Sequence, residues 1–228
     1  MQPLDNPAWH ALNSADSRFN IGDKIAGYFP ADIAPFAALP DWNEAMQKYF
    51  YDHAPANRSW SVVRKEPVTL SSLWDLRFSI TLHQMVCNTF LPVIIPDIDI
   101  RSLNETHVPG MLALTAITKP GPFMERTIAF GNYTGVFEND QLVAMTGERL
   151  HLDTHTEISA VCTLPEHTGK GYGALLVSLA AEKIISTGKT PFLHVVADNH
   201  RAIKMYERLG FVHRSDMQFY VFKRRVDA

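Results

Sequence analysis

The stretch between residues 157 and 211 constrains the fold of this chain most. It begins with a predicted apolar strand over residues 158–164, which runs into a loop where every second residue from Gly169 to Gly173 is glycine. A long apolar helix is predicted next, over residues 174–187. Backbone N–H groups in such a turn and at the start of the following helix favour a negatively charged ligand. The pattern therefore predicts an α/β unit with an anion site at the helix N-terminus.

The overall composition is that of an ordinary globular protein. The chain has 228 residues, of which 46% are hydrophobic and 20% charged, and it is long enough to bury a substantial core. Its net charge is −3 and no stripe of lysine or arginine stands out, so we expect no nucleic-acid partner. No apolar run approaches the ~18 residues of a membrane span, and the first residues do not resemble a leader peptide. We therefore expect a cytoplasmic protein with no membrane partner.

Neither the cysteines nor the histidines predict a metal or disulfide site. Cys87 and Cys162 lie far apart in apolar, strand-like segments, which is typical of buried reduced thiols. The alternating run of His151, Asp153 and His155 could chelate a metal ion. Such a run arises easily in a chain with ten histidines, so we predict a solvated loop there and no metal.

Turn and capping signals divide the rest of the chain into elements. Asp41 is predicted to cap a helix over residues 41–53, with Glu44 completing a capping box. Asn104 is predicted to cap a second helix. The remaining predicted helices cover residues 105–117, 123–130 and 201–208. Strands are predicted over residues 60–65, 74–82, 94–95, 98–101, 133–137, 142–150, 157–164, 192–197 and 217–222. Asn139-Asp140 is the predicted turn of a hairpin formed by strands 133–137 and 142–150. The proline-flanked segment 92–96 predicts a boundary between an N-terminal extension, residues 1–96, and a second domain, residues 97–228.

The second part resembles the GNAT superfamily of N-acetyltransferases over about residues 97–225. The resemblance rests on the order of the elements, on the glycine loop, and on a late motif that contains Asn199, Ala202, Tyr206 and Gly210. It implies an α/β (α+β) fold with a central, mixed but mostly antiparallel sheet and flanking helices. The N-terminal residues would form an α/β extension of unknown role.

The resemblance also implies an acetyl-CoA site. The loop pattern of the superfamily is Arg or Gln, two residues, Gly, one residue, and Gly or Ala. Gly171 and Gly173 match it, but Thr168 stands at the Arg/Gln position, so CoA binding is expected to be weakened, with Lys170 supplying compensating charge. The implied CoA-binding residues are Val161, Cys162, Thr163, Thr168, Gly169, Lys170, Gly171, Tyr172, Gly173, Ala174 and Asn199.

The catalytic roles follow from the same resemblance. Tyr206 would protonate the departing CoA thiolate, and Glu157 would remove a proton from the attacking amine, with Glu148 on the neighbouring strand as the competing base. A backbone N–H of Val161 or Cys162 would face the developing oxyanion. Asn199 would contact the pantetheine arm or cap the helix that follows it, and both can hold.

Three functions stay open on the sequence alone. The first is direct transfer of acetyl from acetyl-CoA to a primary amine in a ternary complex, with a small-molecule or peptide acceptor bound near residues 115–126 and 131–138. The second is a non-catalytic acyl-CoA sensor, which is favoured by the presence of Thr168 at the position where the superfamily has Arg or Gln. The third is an interaction domain with a vestigial loop. The identity of the amine and the oligomeric state are not encoded in any motif of the chain.

Overall fold

A computed structural model describes residues 2–225 of the chain. Most of these residues surround one large sheet, and a small pair of strands lies beside it. The α-helices are α1 (Pro7–Leu12), α2 (Glu44–His53), α3 (Val108–Thr118), α4 (Tyr172–Ser186) and α5 (His200–Arg208). The strands are β1 (Gly27–Tyr28), β2 (Ala37–Ala38), β3 (Trp60–Arg64), β4 (Trp74–Cys87), β5 (Ile100–Ser102), β6 (Thr134–Glu138), β7 (Gln141–His151), β8 (His155–Thr163), β9 (Thr190–Val196) and β10 (Phe211–Arg224).

The large sheet has eight strands in the order β3-β10-β4-β9-β8-β7-β6-β5. Only β8 and β9 pair in parallel, and the other neighbours are antiparallel. A parallel pair needs a crossover connection, which α4 supplies between β8 and β9. The mixed, mostly antiparallel sheet with flanking helices that the sequence predicted is therefore confirmed.

The two faces of the sheet are covered by different parts of the chain. Side chains of consecutive strand residues point to opposite faces. Phe192 on β9 belongs to an apolar cluster with Leu12 of α1 and Phe36 of the N-terminal segment. Its neighbour Leu193 belongs to a second cluster with Val177 of α4 and Tyr206 of α5. The N-terminal residues thus cover one face at this point, and α4 and α5 cover the other.

The sheet crosses the boundary predicted after residue 96. Strand β4 lies between β9 and β10, pairing with β9 from Leu82 to Val86 and with β10 along most of its length. The extension therefore contributes strands to the same sheet as the rest of the chain, in addition to the segments that cover one face. The division into two domains stays a prediction.

Several predicted elements have different bounds in the structure. Strands β4 and β10 are each 14 residues long, well beyond the predicted segments. They form backbone hydrogen bonds with each other along most of their length, including at residues whose side chains are exposed. Residues 94–95 form no strand; prolines on both sides limit backbone pairing there. Asp41 does not cap α2. The cap is Asn43, whose Oδ1 accepts the Met46 N–H at 3.0 Å.

Other local predictions are confirmed. Asn104 accepts the Thr106 N–H, although the first turn after it is a 3₁₀ helix and α3 begins at Val108. The hairpin between β6 and β7 turns at Asn139 and Asp140, both with positive φ. Both cysteines are free and buried.

Within residues 2–225, no helix combines the length and apolarity that crossing a membrane requires.

Candidate functional site

The parallel strands β8 and β9 separate partway along their length. They pair only at residues 155–157 of β8 with residues 190–192 of β9, although both strands continue beyond these residues. Beyond the last pair, β8 stays bonded to β7 and β9 stays bonded to β4, so the two strands diverge. A wedge-shaped opening results at their carboxyl ends, which is where α/β sheets bind ligands. We call this feature the β8–β9 opening.

The glycine loop and the N-terminus of α4 stand at the wide end of this opening. Gly169 and Gly171 have φ of +88° and +85°, a region that residues with a Cβ rarely adopt. The N–H of Leu175 is bonded to Gly171 O at 3.0 Å, and the helical N–H groups before it are the ones a helix leaves without internal partners. These groups, from Tyr172 to Ala174, can therefore bind an anion together with the positive end of the helix dipole.

A segment of the N-terminal extension runs across this helix. The Val93 N–H donates to Ser178 Oγ at 2.9 Å, and the Leu91 N–H donates to Leu209 O at 3.1 Å. Ile95 lies against the loop: a Cβ added to Gly171 would sit 2.7 Å from its Cδ1. The backbone angle of Gly171 requires glycine, whereas the end of the Ile95 side chain can move, and the extension forms part of the wall around the loop.

Glu138, at the end of β6, binds three side chains of the loop region through one carboxylate oxygen. Its Oε1 accepts hydrogen bonds from Tyr172 OH at 2.6 Å, Lys170 Nζ at 2.7 Å and His167 Nδ1 at 2.9 Å. Hydrogen bonds from Lys170, Tyr172 and His167 lower the pKa of Glu138 to about 2. Sequence reasoning missed this residue, because the contact depends on the β6–β7 hairpin. The ammonium expected to compensate for Thr168 is thus already paired with a carboxylate.

A bulge interrupts β8 inside the opening. Met145 pairs with Cys162 and Gly147 with Ser159, so two residues of β8 lie opposite one residue of β7. Ala160 takes φ of +53° at this point, which turns the backbone of the following residues out of the regular ladder. Val161, one of the two residues predicted to offer an N–H to an oxyanion, belongs to this bulge, and the other, Cys162, follows it. Burial raises the pKa of the Cys162 thiol to about 11, which disfavours a thiolate nucleophile.

Tyr206 and Asn199 lie on α5, on the other side of the opening. Tyr206 is buried in the same apolar cluster that Val161 packs against, and burial raises the pKa of its phenol. Asn199 Oδ1 accepts the Ala202 N–H at 3.2 Å, so its predicted role as helix cap is confirmed. The structure therefore brings Tyr206 beside the strand that carries the predicted oxyanion donors.

Glu157 lies at the point where the two strands diverge, but its carboxylate is fully engaged. The side chain is 0% exposed. Arg149 donates to it twice, at 2.8 and 2.7 Å, and His194 Nδ1 donates at 2.8 Å. Burial favours the neutral acid, but Arg149 and His194 outweigh it and hold the pKa of Glu157 well below its ordinary value. A carboxylate with these partners and so low a pKa is a weak proton acceptor.

Glu148 belongs to a different network, which reaches the N-terminal extension. Its Oε2 accepts from His151 Nε2 at 3.0 Å, and the other ring nitrogen donates to Asp16 Oδ1 at 2.9 Å. Burial by itself lowers the pKa of His151, but the hydrogen bonds to Asp16 and Glu148 outweigh it and raise the pKa to about 9. The imidazole is therefore charged at neutral pH and joins the two carboxylates.

We expect this network to make stability depend on pH in the alkaline range. The pKa of His151 is raised from its ordinary 6.5, so the stabilisation is full below pH 6.5 and is lost as the pH rises through about 9. The loss should reach about 3 kcal/mol in the free energy of unfolding. Urea unfolding between these pH values should show it in the wild type and not in His151→Gln. The same substitution at the exposed His53 is the control, and an equal pH response in wild type and His151→Gln would contradict the assignment.

Tyr133 is a second residue that sequence reasoning did not assign to the site. Its hydroxyl is buried and has no hydrogen-bond partner among residues 2–225. The ring lies flat against Gly147, where an added Cβ would come within 2.3 Å of it. A glycine inside a strand often indicates that another group lies close to the backbone, so Gly147 was the sequence signal for this contact. Burial raises the pKa of this phenol, and the charges of Arg149 and Glu157 also act on it.

The prediction of a solvated loop was wrong for both histidines: His151 ends β7, His155 begins β8, and both are partly buried. His151 binds Asp16 and Glu148 through opposite ring nitrogens, so its donors do not converge with Asp153 or His155. A different group, His83, His213 and Asp216, brings one donor atom each within 4.8 Å of one another on the β4–β10 pair. This exposed group could hold a divalent cation, and it lies outside the opening.

Comparisons with known proteins agree with the fold. Residues 133–221 match the family described as FR47-like protein. A solved structure from Novosphingobium aromaticivorans, assigned to the GNAT family of acetyltransferases, is 30% identical, with a TM-score of 0.91. The alignment covers 99% of this chain and 100% of that one. A GCN5-related N-acetyltransferase from Kribbella flavida has a TM-score of 0.59 at 17% identity, covers 93% and 91% of the two chains, and shows the fold alone.

One curated relative matches a shorter segment. Mycothiol acetyltransferase of Corynebacterium efficiens is 35% identical over 77 residues. The match covers 33% of this chain but only 26% of that protein. This chain therefore aligns with about a quarter of the relative's length.

Proposed function

This chain belongs to the GNAT family of acetyltransferases, and we propose that it transfers an acetyl group from acetyl-CoA to a primary amine by direct attack in a ternary complex. The β8–β9 opening is the observation that carries the proposal. Its walls expose strand backbone that a pantetheine arm can bond, and its wide end holds the glycine loop and the N-terminus of α4. A thioester with an anionic pyrophosphate at one end fits both features.

In this proposal the donor is held mainly by backbone groups. The N–H groups between Gly169 and Ala174 bind the pyrophosphate, and the bulged residues after Ala160 face the thioester carbonyl. A preorganised N–H at this carbonyl stabilises the negative charge that develops when the amine attacks, by about 3 kcal/mol. Holding donor and acceptor together in this geometry supplies much of the remaining acceleration.

Proton transfers complete the reaction. The attacking amine must be neutral, and Glu148 is the better base of the two glutamates. Glu157 is 0% exposed and accepts three hydrogen bonds from Arg149 and His194, whereas Glu148 accepts one from His151. Glu148 takes the proton directly or through a water molecule, and His151 orients its carboxylate. When the tetrahedral intermediate collapses, the C–S bond breaks and Tyr206 donates its phenolic proton to the departing thiolate. The products are the N-acetylated amine and free CoA.

The residue at position 168 should set the affinity for the donor. Thr168 is exposed, and its hydroxyl donates only to Pro165 O. An arginine there could bind the pyrophosphate with charge-assisted hydrogen bonds, which are worth about twice a neutral one. We expect Thr168→Arg to tighten acetyl-CoA binding by about 5- to 20-fold, since a hydrogen bond to a charged group contributes about 1.5 kcal/mol or more.

Calorimetric titration of acetyl-CoA measures this effect directly. Thr187→Arg is the matched control, because it adds the same charge at the opposite end of α4. Its affinity should stay within about twofold of the wild type, since the charge is far from the ligand. If both arginines strengthened binding equally, only net charge would matter, and the assignment of position 168 would be wrong.

The acceptor is proposed at the level of a class. We propose a small-molecule or peptide amine that binds near the segment before β6, where Phe123 packs on Tyr133. The mycothiol acetyltransferase match does not fix the acceptor of this chain, because the shared segment is short. A cytoplasmic location and the absence of a nucleic-acid partner stay predictions from the sequence.

Turnover with a panel of amines tests the proposal. We would follow release of the CoA thiol from acetyl-CoA with amino acids, polyamines, aminoglycosides and peptides with free N-termini. We expect amine-dependent thiol release with at least one class and its loss in Glu148→Gln. Binding of acetyl-CoA without turnover on any amine would instead favour the acyl-CoA sensor.

A further inference from the structure

Arg64 is a buried cation, and two of its three guanidinium nitrogens have no hydrogen-bond partner among the described residues. It ends strand β3 and its side chain is only 3% exposed. The Nε and Nη1 atoms are buried and have no hydrogen-bond partner among residues 2–225. Two partly buried guanidinium groups have partners instead: Arg149 binds Glu157, and Arg58 donates to two backbone carbonyls. An unpaired buried charge is costly, so an anion is missing from its surroundings.

Arg64 lines an open depression with a volume of about 840 Å³. The depression lies between the N-terminus of α2 and the segment before β4. Gln47 holds its walls together: its Nε2 donates to Trp42 O at 2.6 Å and Thr69 O at 2.9 Å, and its Oε1 accepts the Ser71 N–H at 2.8 Å. The side chain of Gln47 is almost fully buried, so the walls are fixed rather than formed by loose loops.

A second unpartnered polar atom lines the same depression. Ser71 Oγ is buried and has no hydrogen-bond partner in the described part of the chain. A hydroxyl can donate one hydrogen bond to an anion and so add to the hydrogen bonds from a guanidinium. A guanidinium binds a carboxylate with two hydrogen bonds along one of two edges, Nε with Nη2 or Nη1 with Nη2. Each edge therefore includes one of the two Arg64 atoms that have no partner. Arg64 and Ser71 thus supply the donors of a carboxylate site.

The rim of the depression carries the opposite charge. Asp41, Glu44 and Glu66 line it and are exposed. Asp41 is committed to its own loop, where its oxygens accept from Trp42 N–H and Asn43 Nδ2. The negative charges of Asp41 and Glu66 attract the Arg64 guanidinium through space and not through a hydrogen bond. An acidic rim around a buried cation suits a ligand that carries both charges.

We propose that this depression binds a small amino carboxylate, such as an amino acid, with its carboxylate on Arg64 and Ser71 and its ammonium group at the acidic rim. The site is separate from the β8–β9 opening. Strand β3 is four strand positions away from β8, roughly 19 Å at the usual spacing. The proposal does not rest on acetyl transfer, and it gives the N-terminal extension a ligand of its own.

Thermal unfolding of the full chain tests the site. The probes are each standard amino acid, acetate, ethylamine and inorganic phosphate, all at millimolar concentration. An amino acid at about 100 times its dissociation constant should raise the melting temperature by about 5 to 10 °C. Acetate should act more weakly and ethylamine should have no effect. Equal shifts with acetate and the best amino acid would overturn the role of the rim, and a shift with phosphate alone would overturn the carboxylate assignment.

Variants of Arg64 separate a binding role from a structural one. Arg64→Met should abolish the shift and should also raise the melting temperature of the unliganded protein, because it removes an unpaired buried charge. Arg58→Met is the matched control. It loses two hydrogen bonds, so its melting temperature should fall while the ligand shift is kept. If Arg64→Met does not fold, Arg64→Lys keeps the charge without the planar fork and should weaken binding at least about tenfold. An unchanged shift in the folded Arg64 variant, or no shift in the wild type, overturns the proposal.

Discussion

Replacing Tyr206 by phenylalanine is expected to lower kcat by about 100- to 10,000-fold, the usual contribution of a positioned general acid, while acetyl-CoA affinity stays within about twofold. The phenol is buried on α5, in the apolar cluster that the bulged residue Val161 also packs against. The thiolate forms only as the C–S bond breaks, so the loss of the phenol falls on the transition state. Burial raises the pKa of Tyr206, which keeps its proton in place at neutral pH.

The comparison needs a control for removing a buried hydroxyl. Tyr220→Phe is suitable, since its oxygen accepts the Val68 N–H far from the opening. This variant should lose some stability and keep its kcat. Steady-state rates together with calorimetric dissociation constants separate the two effects. A Tyr206→Phe enzyme with kcat within threefold of the wild type would remove the phenol from the mechanism.

Breaking the buried pair of Arg149 and Glu157 should have the largest effect on stability. Arg149→Met leaves the Glu157 carboxylate buried without its main counterion, and loss of one partner of such a pair costs about 3 to 5 kcal/mol. Replacing both residues, Arg149→Met with Glu157→Leu, should cost much less, because no unpaired charge remains. His194 would then lose its acceptor, so the double variant is not expected to match the wild type.

Urea unfolding measures these differences, and an exposed pair supplies the control. Arg101 binds Asp99 and Asp140 at the surface, so Arg101→Met should change the free energy of unfolding by about 1 kcal/mol or less. A double variant that cost as much as the sum of its two single changes would show that Arg149 and Glu157 act independently. The pairing would then not explain why Glu157 is a weak base.

Local signals in the sequence predicted the parts of the site that depend on backbone conformation. Gly169 and Gly171 marked the loop before α4, Asn199 marked the start of α5, and Asn139-Asp140 marked a hairpin turn. Each of these is decided by one or two neighbouring residues. The order of the later elements then sufficed for the fold.

The parts that could not be predicted are contacts between distant segments. Nothing near residue 138 indicates that Glu138 binds the loop 29 to 34 residues further on. The same holds for Asp16, which reaches His151 across 135 residues. The proposed bases likewise look alike in sequence, and only the partners of Glu157 and Glu148 distinguish them. Strand β4 was placed in the extension, but its position between β9 and β10 depends on the whole sheet.

Calorimetric titration of acetyl-CoA into the wild type, Gly171→Glu and Gly188→Glu tests the central claim most directly. Gly171 and Gly188 both have positive φ, at opposite ends of α4, so a side chain strains the backbone in either place. Only Gly171 belongs to the proposed pyrophosphate loop. We predict one acetyl-CoA per chain in the wild type and in Gly188→Glu, and at least about 100-fold weaker binding in Gly171→Glu, where both strain and like charge oppose the ligand. Equal affinities in all three proteins, or no binding by the wild type, would contradict the account.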